Sequence, residues 1–213
     1  MTGTETALAG TAFGAIAEAV ASDTPTPGGG AVAGLTAALA AGLAAMVARY
    51  SAAAGDLDPA AVATRADELR RTAQRLADDD VRAYQRYLDV TKPPEGPDPA
   101  ARKAAIRAAL DAAADIPLAL AVVAAEVTEL GELLAEAGNP RLHSDALTAV
   151  QLGSAVATSA AALVGENLRA RRGDPRPTRA AERAAVARAA AARVAGEPAP
   201  TTSESTPIRK VRP

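Results

Sequence analysis

The chain has 213 residues and a formal net charge of −2, a length that fits one ordinary domain with a sizeable core. Sixty residues are Ala and only four are aromatic, so any core must come from small residues with Leu, Ile and Val in closely packed helices, and no sheet is expected. Cysteine is absent and His143 is the single histidine, which excludes disulfides and thiolate metal centres and argues against a multi-histidine metal site. The pattern predicts an all-α bundle of five to six long, Ala-rich helices over residues 1–173. A short basic extension, 174–213, follows and reads as partly helical, then disordered; it carries eight basic and four acidic side chains.

In chain order, a first helix is expected from about Thr6 to Ala21, with Leu8, Phe13, Ile16 and Val20 on one apolar face. Thr24 to Gly30, Thr-Pro-Thr-Pro-Gly-Gly-Gly, then opens directly onto an uncharged run from Ala31 to Ala48. Three glycines at a helix start let backbone N–H groups come close to something. That could be an anion or polar ligand edge drawn to the helix N-terminus, or another helix packed tightly. In this second helix Gly34, Ala38 and Gly42 form a small-residue groove beside a Leu35, Leu39, Leu43 ridge, which predicts close contact with another backbone. The run is about 27 Å long as a helix. A membrane span is set aside because Ala dominates it and no second apolar stretch looks uninterrupted.

Asp58-Pro59 is a cap followed by proline at the first helical position, so a third helix should run towards Val90. Val62, Ala66, Leu69, Ala73, Leu76, Asp80, Ala83 and Tyr87 share its apolar seam, which singles out Asp80 from Asp78 and Asp79. A carboxylate there must find a partner, such as an Arg on another helix, or shift its pKa. Asp98-Pro99 repeats the cap, and a helical region extends to about Ala137, with a kink or a break into two helices expected at Pro117. A last core helix begins near Ser144-Asp145 and ends by Gly173. Thr178 to Val194 is a further helix candidate without a strong apolar face, read as a solvated appendage.

His143, Ser144 and Asp145 look superficially like a hydrolytic triad, but consecutive residues at a helix start do not face one another. The acidic balance of residues 1–173 is the opposite of what a nucleic-acid-binding core shows, and no nucleic-acid or membrane partner is expected. The N-terminus lacks the basic start of a secretory signal, so a cytoplasmic location is expected.

Several segments in order carry a resemblance: Ser22 ahead of Pro27-Gly28-Gly29-Gly30, Met46-Val47, Asp80 followed by Tyr84, Arg102 and Ile106, Pro117-Leu118, Gly138-Asn139, Ser144-Asp145 and Asn167-Leu168. Together, from about Phe13 to Leu168, they resemble the cyclodeaminase/cyclohydrolase family. It comprises the C-terminal domain of formiminotransferase-cyclodeaminase and stand-alone methenyltetrahydrofolate cyclohydrolases. Two positions depart from the family's common pattern, Ala31 standing where Ser is usual and Leu163 where Asn is usual.

The resemblance implies a helical homodimer with a tetrahydrofolate one-carbon adduct as its small-molecule substrate, no tightly bound cofactor and no metal. It implies either hydrolysis of 5,10-methenyltetrahydrofolate to 10-formyltetrahydrofolate or ammonia-releasing cyclisation of formiminotetrahydrofolate. The alternatives are a relative acting on a non-folate cyclic iminium or amine, and a non-catalytic helical scaffold. Both folate reactions move protons beside positive charge, which makes Asp80 and Asp145 the candidate catalytic carboxylates. An inter-helix ion pair for Asp80 and helix-start capping for Asp145 are the structural alternatives. Ser22, Pro27, Gly28, Gly29, Gly30, Asn139, His143, Ser144 and Asn167 are the candidate substrate contacts. Arg102, Lys103 and Arg107 could meet a folate's glutamate or simply form an exposed charged face.

Overall fold

Asp58 and Asp98 each accept hydrogen bonds from the two backbone N–H groups that follow their prolines, and these caps start the two longest helices. The computed structural model describes residues 12–55, 57–92 and 98–196; the expected start of the first helix, with Leu8, and the tail beyond 196 lie outside them. Six α-helices result: α1 Phe13–Ala21, α2 Gly29–Arg49, α3 Pro59–Thr91, α4 Pro99–Ala137, α5 His143–Asn167 and α6 Arg176–Ala195. A 3-10 turn, Pro140–Leu142, joins α4 to α5, and no strand occurs among the described residues.

Small residues set how closely these helices approach. A Cβ on Gly34 would come within 2.8 Å of the Ala77 Cβ and 3.0 Å of the Ala73 carbonyl oxygen, so α2 and α3 meet nearly backbone to backbone. The α4–α5 pair does this reciprocally: Gly131 on α4 receives Val150, and Gly153 on α5 receives the Thr128 hydroxyl and the Ala124 carbonyl. The core between them is mostly Ala, with Leu120, Leu134, Val47, Val127, Val150 and Val164 as its larger fully buried side chains. The predicted α3 seam is the buried one, with Ala77 rather than Leu76 filling the core in the turn before Asp80.

Four expectations need correction or completion. Of the two outcomes expected at Pro117, the break into two helices does not occur: α4 is continuous over 39 residues, and the carbonyl that the proline leaves without a partner is satisfied from α5. Gly42 meets no other backbone, only the Arg70 Cδ at 3.8 Å; on the ridge beside it Leu39 is 61% exposed and Leu35 partly buried, while Leu43 packs against the core. α6 is not a solvated appendage. It buries Ala180, Ala184, Ala187, Ala190 and Ala191, and the first three join the same core cluster as Leu120 and Val127. Finally, α2, α4 and the stretch Pro140–Asn167 are all long and apolar enough to cross a membrane by length and composition, so the apolar run in α2 has counterparts.

Ion pairs hold α6 along α4. Arg176, only 16% exposed, reaches Asp111, Asp115 and Asp174, Arg171 also meets Asp111, and Arg193 pairs with Glu132 through two nitrogens. Hydrogen bonds from Arg176 hold the Asp174 carboxyl down at about 2, against 3.8 for an ordinary aspartate. A depressed folded pKa adds stability above the unfolded value, lost as pH falls through the folded one. Asp174→Asn should therefore lower the thermal midpoint at neutral pH, with the deficit against wild type shrinking between about pH 4 and pH 2. Thermal denaturation across that range reads it.

Candidate active site

None of the three glycines at the start of α2 has a positive φ; Gly28, the N-cap, is extended at φ −108° and ψ −164°. The need for a missing side chain is concentrated at one of them. A Cβ on Gly28 or Gly29 would find only ordinary contacts, at 3.9 Å from the Pro25 carbonyl and 4.0 Å from the Leu163 Cδ2. A Cβ on Gly30 would overlap the whole carboxyl group of Asp80. What the glycine start admits is therefore the chain's own carboxylate. Asp80 accepts a hydrogen bond from the Ala31 backbone N–H, one of the free donors of the first turn, where the helix dipole favours negative charge.

Burial nonetheless raises the Asp80 carboxyl above the ordinary aspartate value, against the opposing pull of the Ala31 N–H. Among the described residues no Arg or Lys pairs with it, so the inter-helix ion pair is not the arrangement found. A half-buried carboxylate with raised basicity and no bound cation can take a proton from water and stabilise a cation beside it. Tyr84, 41% exposed, stands one turn further along α3 with its ring centroid 6.1 Å from that of Tyr87. Past Ala83 on α3 and before Ala114 on α4 neither helix has a buried residue, so this paired stretch projects beyond the core. It carries the exposed Arg102, Lys103 and Arg107, and Arg102 also donates to the Thr91 carbonyl.

The other sequence candidates divide into two groups. Asn167 lies at the same end of the bundle as Asp80, four residues after Leu163, the side chain that touches Gly29. Its Nδ2 donates to the Ala113 carbonyl at 2.8 Å, the group four residues before Pro117 that an ordinary residue there would have bonded. Ser22 caps α1, its hydroxyl bonding the Ala19 carbonyl at 2.7 Å and meeting Thr24, and leads into the turn that holds Pro27.

Asn139, His143, Ser144 and Asp145 belong to the opposite end. Asn139 donates to the carbonyl of Tyr50, just past the C-terminus of α2, and accepts from the Arg141 N–H; the exposed His143 has Nδ1 3.1 Å from the Ala135 carbonyl. Ser144 is exposed and Asp145 half-buried in the first turn of α5. A helix of 21 residues, about 30 Å, separates the two groups. Within one chain they do not converge. The Tyr50–Asn139 contact that sets this separation has no signal in sequence spacing.

A model of the formiminotransferase-cyclodeaminase family matches residues 12–187 of the chain. The chain belongs to that family. It is 38% identical over 153 residues to a methenyltetrahydrofolate cyclohydrolase of Methylorubrum extorquens, spanning 68% of this chain and 73% of that protein. The fold is similar to the crystal structure of formiminotetrahydrofolate cyclodeaminase from Thermotoga maritima, with a TM-score of 0.77 and 26% identity over 88% of this chain and 96% of the other. At the two positions where this member departs from the common pattern, the helix start is apolar: Ala31 is fully buried and Leu163 lies against Gly29.

Two predictions separate the roles of these residues. Gly30→Ala should cost about 1–3 kcal/mol by overpacking, whereas Gly29→Ala should be neutral or stabilising. Placing Gly30→Ala in an Asp80→Ala background should remove the cost, as chemical denaturation will show. Asn167→Ala should cost about 1 kcal/mol by stranding the Ala113 carbonyl. In a Pro117→Ala background that loss should shrink, because the backbone N–H gained at position 117 serves the carbonyl, and a double-mutant cycle measures the coupling.

Proposed function

We propose that this chain hydrolyses the methenyl bridge of 5,10-methenyltetrahydrofolate to give the 10-formyl form. The observation that carries the reading is the Asp80 carboxylate, half-buried and without a paired cation among the described residues, at the glycine-opened start of α2. The relative that shares 38% identity and bears the cyclohydrolase name supports the choice of substrate.

In the proposed step water attacks the cationic carbon between the two nitrogens, and Asp80 takes the proton the water gives up. The new C–O bond becomes the formyl carbonyl as the bond from that carbon to N5 breaks. N5 keeps the electron pair and gains a proton, and one proton is released to solvent overall. Before the attack the same carboxylate faces a positive charge, so it both binds and activates. No tightly bound cofactor is called for. The basic residues on the projecting stretch, Arg102, Lys103 and Arg107, suit the glutamate of the substrate. The three apolar helices are read as bundle elements rather than membrane spans, a view supported by the close glycine contacts of α4 with α5 and of α2 with the more polar α3.

Ammonia-releasing cyclisation of formiminotetrahydrofolate is the second reading, favoured by the likeness to the Thermotoga maritima enzyme. It would use Asp80 to manage the proton as N10 attacks the formimino carbon. Following the ultraviolet band of methenyltetrahydrofolate beside ammonia release from formiminotetrahydrofolate decides between the two. A methenyl decay no faster than buffer rejects the hydrolase.

Asp80→Asn should lower kcat by about 10²–10⁴-fold. In the wild type kcat/KM should fall on the acid side with a midpoint above 3.8, the ordinary aspartate value. The sign for stability is opposite to that for Asp174. A raised folded pKa means that ionising Asp80 costs folding free energy, so Asp80→Asn should hold or raise the thermal midpoint at neutral pH. That advantage should vanish below 3.8, where the carboxyl is protonated in folded and unfolded chains alike.

A further inference from the structure

Tyr84 stands where the packing of α3 on α2 runs out. Ala73 and Ala77 of α3 face Gly34 and Asp80 faces Gly30, so each turn back along α2 meets the next turn along α3. The following turn of α3 carries Tyr84, four residues past Asp80 and on the same side of the helix. α2 has no turn left to meet it, because Gly28 is already the N-cap. Tyr84 is accordingly 41% exposed, although Ala83 beside it is buried. The first residue of α2, Gly29, is exposed as well, with only Leu163 near the place of its missing side chain.

The corner at the start of α2 therefore has a half-buried carboxylate at its base, an aromatic ring on the α3 side and an apolar side chain on the α5 side. Tyr87 braces the ring. The two centroids lie 6.1 Å apart with the planes tilted by 41°, and Tyr87, the more buried of the pair, supports Tyr84 from further along the helix. Of the four aromatic residues in the chain, Tyr84 is the one within a single turn of the carboxylate.

A planar cation is attracted to the negative face of an aromatic ring, and more strongly where water is partly excluded. Methenyltetrahydrofolate is such a cation. Its charge is spread over N5, the bridging carbon and N10 of a flat five-membered ring, whereas the formyl product is neutral there and has lost that ring. Leu163 and the fully buried Ala31 offer the charge nothing polar, so its recognition falls to Asp80 and to the ring one turn away.

We propose that Tyr84 seats the cationic ring of the substrate, its aromatic face holding the bridging carbon over Asp80 and discriminating against the neutral formyl product. The proposal rests on the hydrolase reading above for the identity of the cation.

Ring electronics test it without altering shape. Tyr84→Phe should keep the KM for methenyltetrahydrofolate, and ring-fluorinated phenylalanines at the same position, whose faces are progressively less negative, should raise KM with each added fluorine. Tyr84→Leu removes the face and should raise KM by about two- to thirtyfold, with kcat changed far less. Inhibition by added 10-formyltetrahydrofolate should not follow this series, since that molecule carries no charge at the bridge. A KM indifferent to fluorination overturns the proposal. So does a loss in Tyr84→Phe as large as in Tyr84→Leu, or product inhibition weakened as much as substrate binding.

If the wild type leaves methenyltetrahydrofolate untouched, the hydrolase reading fails by itself, and calorimetry with the same compound decides the ring. Weaker binding by Tyr84→Leu than by the wild type sustains the seat; equal binding, or none to either, overturns it.

Discussion

The close crossing of α2 and α3 is the constraint on which the rest depends. Gly34 meets Ala73 and Ala77 with almost no side chain between the two backbones. One turn earlier on α2 and one turn later on α3, the same antiparallel contact brings Gly30 to Asp80. With a larger residue at position 34 the helices would stand further apart, and the carboxylate would lose its reach to the Ala31 N–H. The packing of small residues and the chemistry of the site are thus a single arrangement. A desolvated carboxylate is tolerated because a helix N-terminus lies beside it, and its remaining discomfort leaves it basic enough to act.

Much of this was legible in the residues. The four-and-three spacing of α3 placed Asp80 on the packed face, the two Asp-Pro pairs marked helix starts to the residue, and Pro-Gly-Gly-Gly announced a close approach to a helix N-terminus. In each case the signal is local, within a few turns of one helix. The identity of the approaching group was not legible, because it depends on which residue of α3 faces the start of α2 after folding.

The misreadings share a physical origin. Ala is weakly apolar, so the buried stripe of α6, Ala180, Ala184, Ala187 and Ala191, looks no different in sequence from an exposed Ala/Arg face. The small-residue stripe of α2 promised one close contact too many: Gly34 meets α3 backbone to backbone, but Gly42 meets only the Arg70 side chain. A break was one of the two outcomes Pro117 suggested, because its consequence, a stranded carbonyl, is visible locally, while its remedy, Asn167, lies far along the chain on another helix. That Asp80 and Asp145 come to opposite ends of the bundle was not legible either, because order along a sequence does not tell which end of a bundle a turn occupies.

The incorporation of α6 also bears on how the protein is made. Ala180, Ala184 and Ala187 close the same cluster as Leu120 and Val127, and Arg176 and Arg193 tie α6 to two separate points along α4. A ribosome delivers α6 last, eight residues after the end of α5. During that interval the nascent bundle has an open wall of Ala and Val, kept from other chains only by whatever shields it in the cell. Translation speed through the Ala/Arg segment therefore sets how long the unfinished molecule is vulnerable to misassembly.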